Sequence, residues 1–173
     1  MFIQGDVLAF ISLLIGTCVS SWALTMAYGL LFPSKSLVAQ RAITESPWKC
    51  MGLGALVVAT LGLFGVILIG SVPNPIVKLL GWVIVLSIFS VASVGMAGIA
   101  LNAGERLRNM APEMNYYAAF SRGAAVLIVA CIVPIIGWLA FGPALYLASI
   151  GAGVKALRTR VAEEAPLAHV ETA

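Results

Sequence analysis

The amino-acid sequence predicts an all-α integral membrane protein with three transmembrane helices and a C-terminal re-entrant or short helical hairpin. Hydrophobic residues make up 61% of the 173 residues and charged residues only 10%, whereas a soluble domain carries roughly a quarter charged residues. The apolar residues form runs long enough to cross a bilayer, separated by short polar connections. We therefore expect one helical membrane domain over residues 1–160 and a polar, disordered tail over residues 161–173.

The first predicted span covers residues 7–32 and carries small residues at a spacing of four. Small side chains at this spacing allow the backbone of a second helix to approach closely. The helix-packing residues predicted on this span are Ser12, Gly16, Thr17, Ser20, Ser21, Thr25 and Gly29. They are expected to pack either within the protein's own helix bundle or against another subunit.

A polar connection and two further spans follow the first span. Apolar and polar residues are interleaved over residues 35–49, which is typical of a short helix lying on the membrane surface. The second span is predicted over residues 48–69 and the third over residues 76–101, joined by a proline-rich turn into an antiparallel hairpin. Gly95 and Gly98 give the third span a small-residue packing surface of its own.

The chain after the third span predicts a polar loop over residues 102–121 and then an ambiguous apolar segment. Between Arg122 and Lys155 lie 32 uncharged residues, too many for one straight span and too few for two full spans. The segment is therefore either a hairpin that returns to its starting side or a single kinked helix. The second reading gives four transmembrane helices in total.

The positions of the basic residues favour the hairpin. Nine of the ten basic residues fall into three groups, and only Lys78 lies elsewhere. The nine are Lys35, Arg41, Lys49, Arg106, Arg108, Arg122, Lys155, Arg158 and Arg160. A hairpin places all nine on one side of the membrane, whereas a single crossing divides the ten into six and four. Because cytoplasmic loops are enriched in Lys and Arg, we expect an external N-terminus and a cytoplasmic C-terminal tail.

The turn of the hairpin is predicted at Pro134, Gly137, Trp138 and Pro143. Pro134 ends one arm, and Pro143 fits the first turn of the next helix. Each arm of about 15 residues is roughly 22 Å long, shorter than the roughly 30 Å hydrocarbon core. Non-helical backbone at membrane depth is tolerated only where protein covers it. We therefore expect the first three spans, or a partner, to cover residues 137–142.

Catalytic and cofactor-binding side chains are missing from the predicted spans. Their cores contain no Asp, Glu, Lys, Arg or His, whereas proton relays and ion-coupled carriers need such groups. The single histidine, His169, lies in the tail, and Cys18, Cys50 and Cys131 are too far apart for a CxxC motif. The sequence therefore predicts a protein that is not an enzyme and holds no metal or cofactor, with no nucleic-acid-binding surface.

Several short motifs carry a resemblance to a known membrane region. They are Ser46-Pro47-Trp48-Lys49, the Pro73 and Pro75 turn, Gly104-Glu105-Arg106-Leu107, Arg122-Gly123, and Pro134-Ile-Ile-Gly-Trp138. Over residues 46–157 the chain resembles the polytopic membrane region of uncharacterised bacterial proteins, some of which join it to bactofilin-like, polymer-forming domains. The resemblance implies two membrane hairpins and carries no established activity.

Together these features predict a non-enzymatic accessory or scaffold subunit of a larger membrane complex, placed in the bacterial inner membrane. Its expected partners are the lipid bilayer and other membrane subunits, or further copies of itself. Two alternatives stay open from the sequence: a small oligomeric channel or facilitator, and a pigment-associated subunit of a photosynthetic or respiratory complex.

Overall fold

The computed structural model describes residues 4–71, 74–133 and 135–159, and every element within these ranges is helical. The helices are α1 (Gln4–Leu31), α2 (Pro33–Glu45), α3 (Pro47–Val57), α4 (Leu63–Ser71), α5 (Pro75–Met110), α6 (Tyr116–Ile132) and α7 (Gly142–Arg158). A π-helical turn at Val58–Gly62 joins α3 to α4, and a second at Ile136–Phe141 precedes α7. The predicted tail over residues 161–173 lies outside the described residues.

Four helical segments are long and apolar enough to cross a membrane. They are Val7–Leu31, Pro47–Ser71, Pro75–Met110 and Gly137–Arg158. A fifth apolar helix, Tyr116–Ile132, has 17 residues and is shorter than these four. The predicted all-α, multi-pass membrane fold is thereby confirmed.

Proline residues define where several helices begin. Pro33, Pro47, Pro75 and Pro143 each lie in the first turn of a helix, where a missing N–H costs no hydrogen bond and the fixed φ already suits the helix. At the start of α5 the Asn74 side chain also accepts a hydrogen bond of 3.0 Å from the backbone N–H two residues later. The sequence thus sets these helix starts locally.

The predicted polar loop over residues 102–121 is helical over most of its length. α5 and α6 leave only residues 111–115 between them. The two helices touch through small residues: a Cβ on Gly104 would lie 2.7 Å from the carbonyl oxygen of Ala119, and one on Gly123 would lie 2.6 Å from the Gly104 amide. This close packing keeps the polar end of α5 helical beyond the apolar run.

The predicted packing glycines of the third span lie at contacts inside the chain. A Cβ on Gly98 would lie 2.7 Å from the Cβ of Ala39 in α2, and a Cβ on Gly95 would overlap the backbone of Ser149 in α7. α5 therefore meets α2 and α7 almost backbone to backbone. Such approach is possible only where the residue has no side chain.

Helix α7 lies between α3 and α5. A Cβ on Gly151 would overlap the backbone of Cys50 in α3, and a Cβ on Gly153 would overlap the backbone of Val91 in α5. In the described chain, α3 and α5 each pack more extensively against α7 than against any other helix. The close-packed part of the fold is therefore built around α7.

The segment over residues 122–155 is divided into α6 and α7, with a π-helical turn between them, so it is not one continuous helix. Its return as a hairpin stays a prediction. α6 begins beside the C-terminal end of α5, and the C-terminal end of α7 lies beside the start of α2 and the start of α3. There the Lys155 Nζ donates a hydrogen bond of 3.0 Å to Ser46 Oγ, and the Lys35 Nζ donates one of 3.1 Å to the carbonyl oxygen of Ala156. We call α2, together with the helix termini that lie around it, the basic end.

The turn of the hairpin lies beside the middle of α5. Cys131, next to the end of α6, lines the same cavity as Phe89 and Ala92, which are near the midpoint of Pro75–Met110. Both arms exceed the predicted 15 residues, because α6 starts before Arg122 and α7 extends past Lys155. α6 therefore ends only partway along α5.

Candidate helix-docking cleft

Helix α1 contacts the bundle through its C-terminal half. Thr25 and Gly29 are buried there, and Gly29 packs against the ring of Phe120 in α6. The indole Nε1 of Trp22 donates a hydrogen bond of 3.2 Å to the carbonyl oxygen of Ser121. These contacts fix one end of α1 against α6, near the basic end.

The N-terminal half of α1 lies largely open. Of the seven packing residues predicted on this span, five are exposed: Ser12, Gly16, Thr17, Ser20 and Ser21. A Cβ on Gly16 would meet no atom within 4 Å. The most apolar 18-residue window of α1 contains no buried residue, against half of the corresponding window of α5. The small-residue surface of α1 thus divides into an internal part and an exposed part.

Two open grooves flank this exposed part of α1. One lies between its small residues and Phe89 of α5. The other, with a volume of about 370 Å³, is bordered by Thr17, Cys18, Cys131 and Trp138 among others. We call these grooves together the docking cleft. Its lining within the described residues is uncharged.

The residues of the predicted hairpin turn are placed differently from one another. Pro134 lies outside the described residues, and Pro143 starts α7 as predicted. Gly137 is buried, since a Cβ there would lie 2.7 Å from the carbonyl oxygens of Ala130 and Cys131. Trp138, in contrast, is 59% exposed and borders the docking cleft.

The expectation that the first three spans cover the turn is wrong for most of residues 137–142. Leu139 is 81% exposed, and Phe141 is 39% exposed. The physical reason is that α6 ends beside the middle of α5, so only the open half of α1 borders the turn. Coverage by a partner is the part of the expectation that stays a prediction.

The backbone at this turn departs from regular helix. Ile135 has a φ of 69°, a left-handed conformation that a β-branched residue rarely adopts. The amide of Gly137 donates to the carbonyl oxygen of Val133 at 2.8 Å, and the amide of Leu139 donates to that of Ile135 at 2.9 Å. These bonds continue the chain toward α7. They lie beside the last carbonyl groups of α6, which have no hydrogen-bond partner inside their own helix.

A smaller cavity of about 200 Å³ adjoins the docking cleft, between α1, α5, α6 and α7. Hydroxyl groups are prominent in its lining, contributed by Ser21, Thr25, Ser93, Tyr146 and Ser149. The Thr25, Ser93 and Ser149 hydroxyls donate to carbonyl oxygens three or four residues earlier in their own helices. The cavity therefore offers hydroxyl oxygens as acceptors and carries no charge.

Several packing glycines were not singled out from the sequence. They are Gly104, Gly123, Gly151 and Gly153, each buried against the backbone of another helix. A signal for them exists, since Ala100 and Gly104, and likewise Ala119 and Gly123, repeat the four-residue spacing of small residues seen on the first span. The described residues contain no group of three side chains able to hold a metal ion.

Comparison with known proteins gives no relative: no family model, curated protein or solved structure matches the chain. The resemblance over residues 46–157 to the membrane region of bactofilin-joined proteins stays a prediction. Function must therefore be argued from the cleft itself.

Proposed function

We propose that this protein is a non-enzymatic accessory subunit that holds a transmembrane helix of another membrane protein in its docking cleft. The observation that carries the proposal is the open space around Gly16, in a span otherwise long and apolar enough to cross the membrane. A helix that exposes Ser12, Gly16 and Ser20 along one face offers a partner helix close backbone contact.

The exposed turn between α6 and α7 supports the same partner. Irregular backbone at membrane depth is stable only where protein covers it or water reaches it. The exposed Trp138 and Leu139 lie beside the docking cleft, so a helix placed there would cover the turn as well as α1. A lipid acyl chain could fill the same volume, but it has no helix backbone to pack against the small residues.

The distribution of charge supports a definite orientation. Eight basic residues of the described chain belong to the groups at the basic end, and Lys78 near the start of α5 is the exception. By the positive-inside rule we place the basic end in the cytoplasm of a bacterial inner membrane and the start of α1 outside. The docking cleft then opens in the outer half of the bilayer.

The test is co-purification of partners with the double variant Gly16→Leu, Ser20→Leu in a mild detergent. The leucines point into open space, so the variant should fold normally while losing its partner. The matched control is Gly52→Leu, because Gly52 of α3 is also exposed with no atom near its Cβ position. Retention of every partner by the double variant at the level of the control would refute the proposal.

A facilitator for small uncharged solutes is the second candidate, and one observation favours it. The hydroxyl-lined cavity beside the cleft could pass a hydrogen-bonding solute without any charge. Flux through proteoliposomes of the purified protein tests this candidate, with Ser93→Val as the blocking variant. Flux equal to that of empty liposomes removes it.

A further inference from the structure

A separate cavity lies at the basic end, between α2, α5 and α6. Its volume is about 170 Å³. Leu101 and Phe120 form part of an apolar floor, while Gln40, Glu105, Arg108 and Tyr116 contribute polar groups. We call this cavity the headgroup pocket. It shares no lining residue with the docking cleft.

The polar groups of the headgroup pocket carry both signs of charge. Glu105 and Arg108 are three residues apart in α5, a spacing that places both on one face of the helix. The Gln40 Nε2 donates a hydrogen bond of 2.7 Å to Glu105 Oε2. This bond holds the carboxylate from α2 and leaves its remaining acceptor positions available to a ligand.

Tyr116 supplies a neutral hydroxyl beside the two charges. Burial, followed by the neighbouring Tyr117 and Glu105, raises the pKa of the Tyr116 phenol above its ordinary value, and Arg108 opposes this rise. The phenol therefore keeps its proton at physiological pH and can donate a hydrogen bond. Tyr116, Glu105 and Arg108 all line the headgroup pocket.

The position of the pocket is that of the membrane–water boundary. Leu101 ends the apolar run of α5, and the charged residues begin within the next turn. Tyr116 and Tyr117 lie beside it at the start of α6, and tyrosine is enriched at the level of lipid headgroups. A pocket with an apolar floor and a polar rim at this depth matches the boundary between the acyl and headgroup regions of a phospholipid.

We propose that the headgroup pocket binds a phospholipid through a phosphoethanolamine headgroup. Arg108 and Tyr116 donate hydrogen bonds to the phosphate oxygens, and Glu105 accepts one from the primary ammonium group. Charge-assisted bonds of this kind are the stronger hydrogen bonds in proteins. A choline headgroup has no N–H to donate to Glu105, and an anionic glycerol headgroup brings no cation to it.

The experiment is native mass spectrometry of the detergent-purified protein with equal amounts of phosphatidylethanolamine, phosphatidylcholine and phosphatidylglycerol. The wild-type protein should retain phosphatidylethanolamine preferentially. Arg108→Gln should lower phospholipid retention about tenfold, the loss of one charge-assisted bond. Glu105→Gln should remove the preference for ethanolamine over choline, because the amide lacks the charge that selects the ammonium group.

The matched control is Arg106→Gln, which removes the same charge from α5 at a residue outside the pocket lining. It should retain lipid as the wild-type protein does. Equal loss in Arg106→Gln and Arg108→Gln would show a general charge effect and overturn the site. Thermal unfolding of each variant in detergent identifies any variant that has lost its fold, and Tyr116→Phe then replaces it as the test of the pocket.

Soluble phosphoethanolamine distinguishes a lipid site from a site for the free headgroup. If the apolar floor contributes to binding, millimolar phosphoethanolamine should leave the bound lipid in place. Displacement of the lipid by the soluble compound would assign the pocket to a water-soluble ligand and overturn the lipid proposal. This readout does not involve partner co-purification. The lipid proposal can therefore fail while the docking-cleft proposal holds.

Discussion

The two halves of α5 have similar apolar sequences and very different surroundings. From Ala92 to Leu101 every residue except Met96 is buried, whereas over residues 75–91 only Gly81 and Ile88 are buried. In the first of these stretches Gly95 and Gly98 meet α7 and α2, whereas in the second Gly81 meets α4. Hydrophobicity therefore places α5 in the membrane, and glycine contacts decide which part of it becomes a protein core.

The largest effect is expected from adding a methyl group in the close-packed half. Gly95→Ala would place its Cβ into the backbone of Ser149, and backbone atoms cannot move aside as a flexible side chain can. We expect a loss of about 3 kcal/mol in the free energy of unfolding, as for severe overpacking. Denaturation of the purified protein in mixed detergent micelles measures it.

The comparison of the two halves fails if Gly95→Ala is as stable as the wild-type protein. Gly151→Ala provides an independent check from α7, since its Cβ would overlap the backbone of Cys50. Destabilisation of both variants would show that α7 packs closely against both neighbouring spans.

A medium effect is expected at the contact that closes the basic end. The Lys35 Nζ donates hydrogen bonds of 3.1 Å to the carbonyl oxygens of Ala156 and Thr159. It thereby places a positive charge at the C-terminus of α7, where the helix dipole favours it. Lys35→Met should cost about 1–2 kcal/mol of unfolding free energy. Lys49→Met, at an exposed lysine on α3, is the control and should cost little.

The smallest effect on the free energy of unfolding, and the one of opposite sign, is expected in the open N-terminal half of α1. Gly16→Ala adds a methyl group into empty space and removes the flexibility of glycine from a helix interior. We expect it to stabilise the isolated protein by about 0.5–1 kcal/mol. Destabilisation in the same assay would mean that the N-terminal half of α1 is packed rather than open, and would remove its contrast with the close-packed half of α5.

The fold class and most helix starts could be predicted from the sequence because they depend on local chemistry. Apolar runs define the spans, and Pro47, Pro75 and Pro143 define helix starts regardless of what surrounds them. These features need no knowledge of tertiary contacts.

The remaining features depend on which surfaces meet. Gly16 and Gly29 lie on the same helix, and the sequence does not show which of them is covered. The position of Phe120 decides this, because its ring packs against Gly29. The polar residues after Leu101 predicted a loop, and packing of α6 on Gly104 made them helical instead. The exposed turn at Trp138 was missed for the same reason: coverage is a property of the assembled bundle.

The position of α7 between α3 and α5 constrains the order in which the protein can be made. The second and third spans enter the membrane before α7 has been synthesised, and at that stage the surfaces they later offer to α7 face lipid or each other. Gly54 and Gly95 therefore reach their final neighbours only after the last described helix has been synthesised. α7 is therefore inserted into an interior site between two helices made before it, rather than added at their edge.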